Sequence, residues 1–334
     1  MSLSLRLEQQ IRPVADEVSA LTAVVRPILE GILYSLKRDI VEQLGGYEGV
    51  TLEMLARVYR AGNGDCGLCF EYAVHDALNR AEPSVTDRVD TALKQYCKIP
   101  GDDTASILFG VEKNGAVNLI DLAKVQLTEE SQLLYGQRGR PAKLRAYVDT
   151  LAAAFRSSGA RASLPTSIGG LWKADLFLGH TDTDKWVATT VKINPAHLEG
   201  AAGLRIGIVP SRQGRSDAVK KDDAKNLIVC PVPHDGEFME LFYQGWGIVQ
   251  QFIAADAHVP REVYLPRPAE RQVAAYLESR RDFPTVEVVM ALLPLSQPEL
   301  LSTTAKDADL RQQNPQENFA KALVAPLPLT QRQR

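Results

Sequence analysis

Cysteine is scarce in this chain. Cys66, Cys69, Cys97 and Cys230 are the only four in 334 residues, too few to staple a protein of this size, which excludes a disulfide scaffold and predicts free thiols in a reducing compartment. Cys66 and Cys69 have CxxC spacing, but no HxxxH partner follows and the other two stand singly, so a structural zinc site is not expected. Long apolar runs are missing as well. No window approaches about 18 apolar residues, and the start, MSLSLRLEQQIRP, lacks the basic opening and apolar stretch of a secretion signal. A cytoplasmic chain without membrane contact is expected. Nor is there an excess of one charge: 38 Lys and Arg stand against 41 Asp and Glu, a net charge of -3. That excludes a protein that coats nucleic acid nonspecifically and leaves room only for a local basic groove.

What is present describes a globular protein, with 45% hydrophobic and 24% charged residues. The length predicts one enzyme-sized unit with additions. Its parts are an N-terminal helical segment (1–61), a core (62–260) with a helical insertion at about 84–165, a C-terminal extension packed on the core (261–304) and a flexible tail rich in Gln, Asp and Pro (305–334). From Ile11 to Leu44 apolar residues recur at helical spacing, with Pro27 a break and Gly45-Gly46 a stop. Thr51 to Arg60 reads as another short helix. From Thr166 the period becomes that of strands: TSIGGLW, KADLFLG, KWVATTVKIN, GLRIGIVP and NLIVCPV. A helix from Gly236 to Ala254 follows, then VYLP, a helix through Arg280 and a buried-looking VEVVMALL. The fold class is therefore mixed α/β.

Two stretches carry chemistry. In GNGDCGLCFEYAVHDALN, residues 62–79, the glycines and Asp65 start a helix whose apolar stripe is Phe70, Ala73, Val74, Ala77 and Leu78, with Glu71 at its edge. In KADLFLGHTDTDKWVATTVKIN, residues 173–194, a loop from Thr181 to Asp184 makes an antiparallel hairpin with Asp175 directly across from Thr190. Side chains alternate along a strand, so Lys192 shares that face. An aspartate and a lysine on an otherwise apolar strand pair are costly unless they hold something. Magnesium chemistry on a phosphodiester uses such a set: carboxylates take the hard cation, and a lysine orients the attacking water and offsets developing charge. Glu71 is the candidate second carboxylate.

These residues resemble the PD-(D/E)xK nuclease superfamily, with its restriction-endonuclease-like αβββαβ core. The order matches: the helix with Glu71, strands around Ile168 to Leu171, with Asp175 and with Lys192, the short helical segment PAHLEGA, strands GLRIGIV and NLIVCPV, and the helix 236–254. The resemblance implies Asp175 as metal ligand, Lys192 as catalytic lysine and Glu71 as a second acidic ligand relocated to the first helix, with Thr190 lining the site. It also implies Mg²⁺ or Mn²⁺ as cofactor, DNA as substrate, and a setting as effector of a bacterial defence system beside an ATPase or sensor subunit. Two departures stand out. Ala174 replaces the family's proline, and Thr190 replaces the acidic residue two before the lysine.

Other readings attach to the same residues. Asp175 and Lys192 could be a cross-strand ion pair on an exposed face, Glu71 a solvated helix residue, and His75 a structural histidine. Arg205, Arg212, Arg215, Lys220, Lys221 and Lys225, and separately Arg138, Arg140, Lys143 and Arg145, could track a phosphate backbone or be ordinary charged loops. NGDCGLCF also resembles the nucleophile segment of papain-like and OTU-type cysteine proteases, which implies Cys66 as nucleophile with His180, in the hairpin turn, or His197 as its base. A catalytically silent nuclease-like module that binds DNA or protein is the third class.

Overall fold

The structure is a computed structural model that describes residues 17–60, 65–109, 123–134, 142–163, 174–200, 205–211, 218–232, 241–265 and 268–295. It begins with helix α1 (Glu17–Tyr34), which buries Ile28, Leu29, Ile32 and Leu33 on one face. The break expected at Pro27 does not occur, and the helix runs through it. A mid-helix proline costs about 3 kcal/mol, and four fully buried aliphatic side chains at about 1.5–3 kcal/mol each outweigh it. Helices α2 (Arg38–Gln43) and α3 (Leu52–Val58) follow, the latter capped by the Thr51 hydroxyl, which accepts from Met54 N at 3.2 Å.

Helix α4 (Asp65–Asn79) packs against α1. Their approach is close enough that a Cβ on Gly31 would lie 2.8 Å from Cys69 Sγ and 2.9 Å from Cys69 Cα, so glycine is what lets the two helices touch. Arg26, buried on α1, reaches Glu30 at 3.1 Å and also pairs with Asp76 of α4, which Arg80 approaches at 3.6 Å. This partly buried charge network ties α4 to α1.

After α5 (Pro83–Thr91) comes the main correction to the sequence reading. The segment expected to be mostly helical contains strands β1 (Thr104–Leu108), β2 (Gln132–Leu134) and β3 (Ala142–Lys143), then α6 (Leu144–Arg156) and α7 (Ser158–Ala162). Strands β4 (Leu176–His180), β5 (Lys185–Val191), β6 (Arg205–Pro210), β7 (Lys220–Asp222) and β8 (Leu227–Val232) complete an eight-stranded mixed sheet in the order β1-β4-β5-β6-β8-β7. β1, β4 and β5 are antiparallel neighbours, while β6 and β8 run parallel to β5. The far edge of β5 is shared, with β2 beside Lys185–Val187 and β6 beside Thr189–Val191, so the sheet forks at Ala188. The expected strand TSIGGLW lies outside the described residues, and β1 holds the place beside β4.

The two sheet faces feed different cores. Leu176, Leu178, Val187 and Val191 join the large core with α1 and α4, whereas Phe177, Trp186 and Ala188 pack with Val148 and Leu151 of α6. PAHLEGA forms only a short 3₁₀ turn at Pro195–His197. The expected 236–254 helix is described as a π-helical turn at Leu241–Trp246 leading into α8 (Gly247–Ala254). Residues 263–265 form no strand, and α9 (Pro268–Glu278) and α10 (Thr285–Leu292) follow. α10, from the stretch expected to be buried, hides one face only, and Met290 is 68% exposed. The 305–334 tail lies outside the described residues. Among the described residues, no helix is long and apolar enough to cross a membrane.

Candidate active site

The hairpin has the expected register. Leu176 faces Thr189 and His180 faces Lys185, leaving Thr181 to Asp184 as the loop. Asp184 adopts the left-handed region at φ 50°. Burial pushes its carboxyl up, but hydrogen bonds from Thr128, Trp186 and Ser131 outweigh this and hold it below the usual range. The loop is thereby tied to the residues before β2. His180, expected in the turn, is instead the last residue of β4 and is fully buried, 3.6 Å from Asp90.

One residue outward from the Leu176–Thr189 pair, Asp175 sits opposite Thr190. Its backbone is held on both sides: its N–H donates to Thr189 O at 2.8 Å and its carbonyl accepts from Phe109 N at 2.9 Å. Its side chain is held as firmly. Oδ2 accepts from the Thr190 hydroxyl at 2.9 Å, the Val191 N–H at 2.8 Å and Lys192 Nζ at 2.9 Å. Among the described residues no hydrogen bond goes to Oδ1. Lys192 lies one residue past β5 and is anchored by its own N–H to Ile208 O at 2.9 Å.

Asp175 and Thr190 alternate in step with Phe177 and Ala188, the α6 side of the sheet, whereas α4 packs on the opposite side. Glu71 nevertheless reaches the group, with Oε1 3.9 Å from Lys192 Nζ. The two carboxylates therefore come from opposite faces and are linked through Lys192 Nζ, where β4 begins and β5 ends. Glu71 and Asp175 are each 8% exposed, so neither is a solvated surface acid. The Lys192 side chain remains about one-third exposed, and it spans the space between the buried acids and solvent. Among the described residues the group has two carboxylates to one ammonium, and a formal excess of negative charge in a partly desolvated place attracts a cation.

Around this group α4 is tied to the sheet by further side chains. His75, one turn beyond Glu71, lies 3.0 Å from Ser106 Oγ of β1 through Nδ1 and 3.0 Å from Asn79 Nδ2 through Nε2. The amide can only donate, so Nε2 accepts and Nδ1–H donates to the serine. That tautomer cannot take a proton from Ser106, which makes this a structural tie between α4 and the sheet. Cys66 is buried in the large core, and burial pushes its thiol up to about 12, the reverse of what a nucleophile needs. Cys69 Sγ, equally buried, lies 3.6 Å from Ile28 O.

The expected basic surface separates. Arg205 is 3% exposed inside β6 and cannot lie along a phosphate backbone. Its place in the register, facing Leu227 and next to Ile206, is that of a core residue. Arg212, Arg215, Arg138 and Arg140 lie outside the described residues. Lys221 pairs with Asp223 at 2.6 Å, Lys143 with Glu130 at 2.9 Å, and Arg145 bonds the Lys124 and Leu127 carbonyls and Glu129. Lys225 Nζ donates to Leu198 O at 3.2 Å. Lys220 differs: it is exposed, and the register Thr190–Gly207–Val229–Lys220 sets it on the same face as Thr190.

Sequence reasoning missed the Val191 N–H, whose only signal was the hairpin register itself, and the Arg26 network, for which no local pattern exists. Comparison of the chain with protein-family profiles and with curated proteins, and of its fold with solved structures, gave no match.

Proposed function

We propose that this protein is a divalent-cation-dependent phosphodiesterase acting on DNA, on a restriction-endonuclease-like core made of α4, β1, β4, β5 and β6. The observation that carries the reading is the convergence of Glu71, Asp175 and Lys192 from a helix and two strands more than 100 residues apart, at one partly buried place. The order of elements supports it. A helix bearing an acid precedes three antiparallel strands, the middle one introduced by the aspartate and the last followed by the lysine, with a parallel strand beyond. Burial of both acids argues against a solvent-exposed ion pair.

The residues fit a magnesium or manganese ion. Among the described residues no group of three or more His, Cys, Asp and Glu side chains gathers. Magnesium is commonly held by one or two carboxylates, with waters and substrate phosphate filling the remaining positions, and Asp175 Oδ1, which takes no hydrogen bond among the described residues, is the oxygen such an ion would use. Glu71 and Asp175 would hold it, and when bound it supplies Lewis-acid stabilisation of the phosphoryl oxygens and a more acidic water. Lys192, on its flexible stem, moves between Asp175 Oδ2 and the substrate side, where its ammonium orients the attacking water and offsets charge on the scissile phosphate. Thr190 lines the site beneath Asp175. DNA is the substrate that the family resemblance implies, and Lys220 is the described cation best placed to meet its backbone outside the centre.

The test is incubation of the full chain with supercoiled plasmid and Mg²⁺, with and without chelator, for wild type and Lys192→Ala. Nicking or linearisation that needs the cation and is lost in the variant is expected. Cutting that survives Lys192→Ala or an excess of chelator would sink the assignment.

A further inference from the structure

We infer that Thr190 is a positioning residue that makes Asp175 a one-oxygen ligand, so that the site takes a single small divalent cation between Asp175 Oδ1 and Glu71. The inference rests on the cation-dependent reading above. Its basis is the asymmetry of the Asp175 carboxylate: three donors converge on Oδ2 and none among the described residues on Oδ1.

The three donors differ in permanence. The Val191 N–H is fixed by the pairing of Val191 with Ile208 on β6. Lys192 holds on through a flexible, partly exposed stem and can leave. Thr190 is 4% exposed in the middle of the forked sheet, and a β-branched residue there has little freedom at χ1. An ionised carboxylate only accepts, so the threonine hydroxyl must donate. When Lys192 turns to substrate, the hydroxyl and the N–H together still pin Oδ2, and Oδ1 keeps its direction.

This gives position 190 a reason to be hydroxylic. A carboxylate there would face Asp175 across the strand pair and repel the oxygen that the hydroxyl now holds. The second acid here comes from α4, on the other side of the sheet, where Glu71 Oε1 lies 3.9 Å from Lys192 Nζ. A single carboxylate oxygen also suits Mg²⁺ or Mn²⁺ better than Ca²⁺, which takes more oxygens at longer distance and often bidentate carboxylates.

The experiment is calorimetric titration of Mn²⁺ into the full chain without DNA, for wild type, Thr190→Ser, Thr190→Val and Thr190→Ala, each with its metal-free melting temperature. Loss of a group that orients a ligand weakens metal binding by about 10- to 100-fold. Thr190→Val is expected to fall in that range at a melting temperature close to wild type, and Thr190→Ser to stay within about twofold of wild type because it keeps the donor. Thr190→Ala serves if the valine variant does not fold. Wild-type affinity in the valine or alanine variant, or equal loss in the serine variant, would overturn the positioning role. Absence of Mn²⁺ binding in wild type would overturn the cation-dependent reading itself, an outcome distinct from the other two.

Discussion

His75 predicts a specific dependence of stability on pH. Its ring is half-buried between α4 and β1, with Nδ1 on Ser106 and Nε2 on Asn79. Burial first, and the charge of Arg26 second, lower its pKa from 6.5 to about 4. The folded-state value lies below the unfolded one, so as pH falls the unfolded chain takes up the proton first. The stabilisation is thus fully present above about pH 6.5 and is lost between there and about pH 4. A gap of about 2.5 pH units corresponds to about 3 kcal/mol, of which roughly 2 kcal/mol is gone by pH 5. Urea unfolding at pH 7, 6 and 5 measures it, with His75→Gln as the control that keeps a polar group but cannot titrate. Carboxylates elsewhere contribute the same slope to both proteins, so the difference between them isolates the histidine. Parallel slopes in wild type and variant over this range would refute the reasoning.

Two further perturbations test how the site is held. Arg26→Ala leaves Asp76 and Glu30 with a buried partner removed, and is expected to cost about 3–5 kcal/mol in urea unfolding, as breaking buried ion pairs does; a cost below about 1 kcal/mol would show that the α1–α4 network is not what fixes α4. Gly179→Ala drives a Cβ into the Lys185 carbonyl oxygen and to 3.0 Å from Trp186 Cε3, so the hairpin must shift. A loss of about 1–3 kcal/mol, typical of overpacking, is expected by thermal melting, and a fully stable variant would contradict the observed approach of β4 to β5.

Much of the site was legible because its pieces are local. The hairpin Lys173–Asn194 announces itself by alternation and a short polar loop, and once the loop is placed the period of two forces Asp175 opposite Thr190 with Lys192 on the same face. Glu71 could be put on a helix from the apolar stripe beside it, but its distance from Lys192 could not be read, since that depends on α1, the Arg26 network and the His75–Ser106 tie. Strand β1 was not legible. Thr104–Leu108 is five residues long, mixes alanine and serine with branched residues, and becomes a strand because β4 offers it an edge and His75 a hydrogen bond. β2 and β3, at three and two residues, carry no pattern at all. Pro27 and Arg205 failed for one common reason, tertiary burial overriding a local rule: a proline kept inside a helix, and a charge kept inside a sheet.

The central claim is that two buried carboxylates from opposite sides of the sheet act together on a phosphodiester. It is tested most directly by cleavage of end-labelled duplex DNA with Mg²⁺ by wild type, Glu71→Gln and Asp175→Asn, each confirmed folded by its melting temperature. Cleavage by wild type that is abolished in both variants, Glu71→Gln as completely as Asp175→Asn, is the expected result. Full cleavage by Glu71→Gln would contradict the account, because it would leave Asp175 as the sole acid and the helix outside the chemistry.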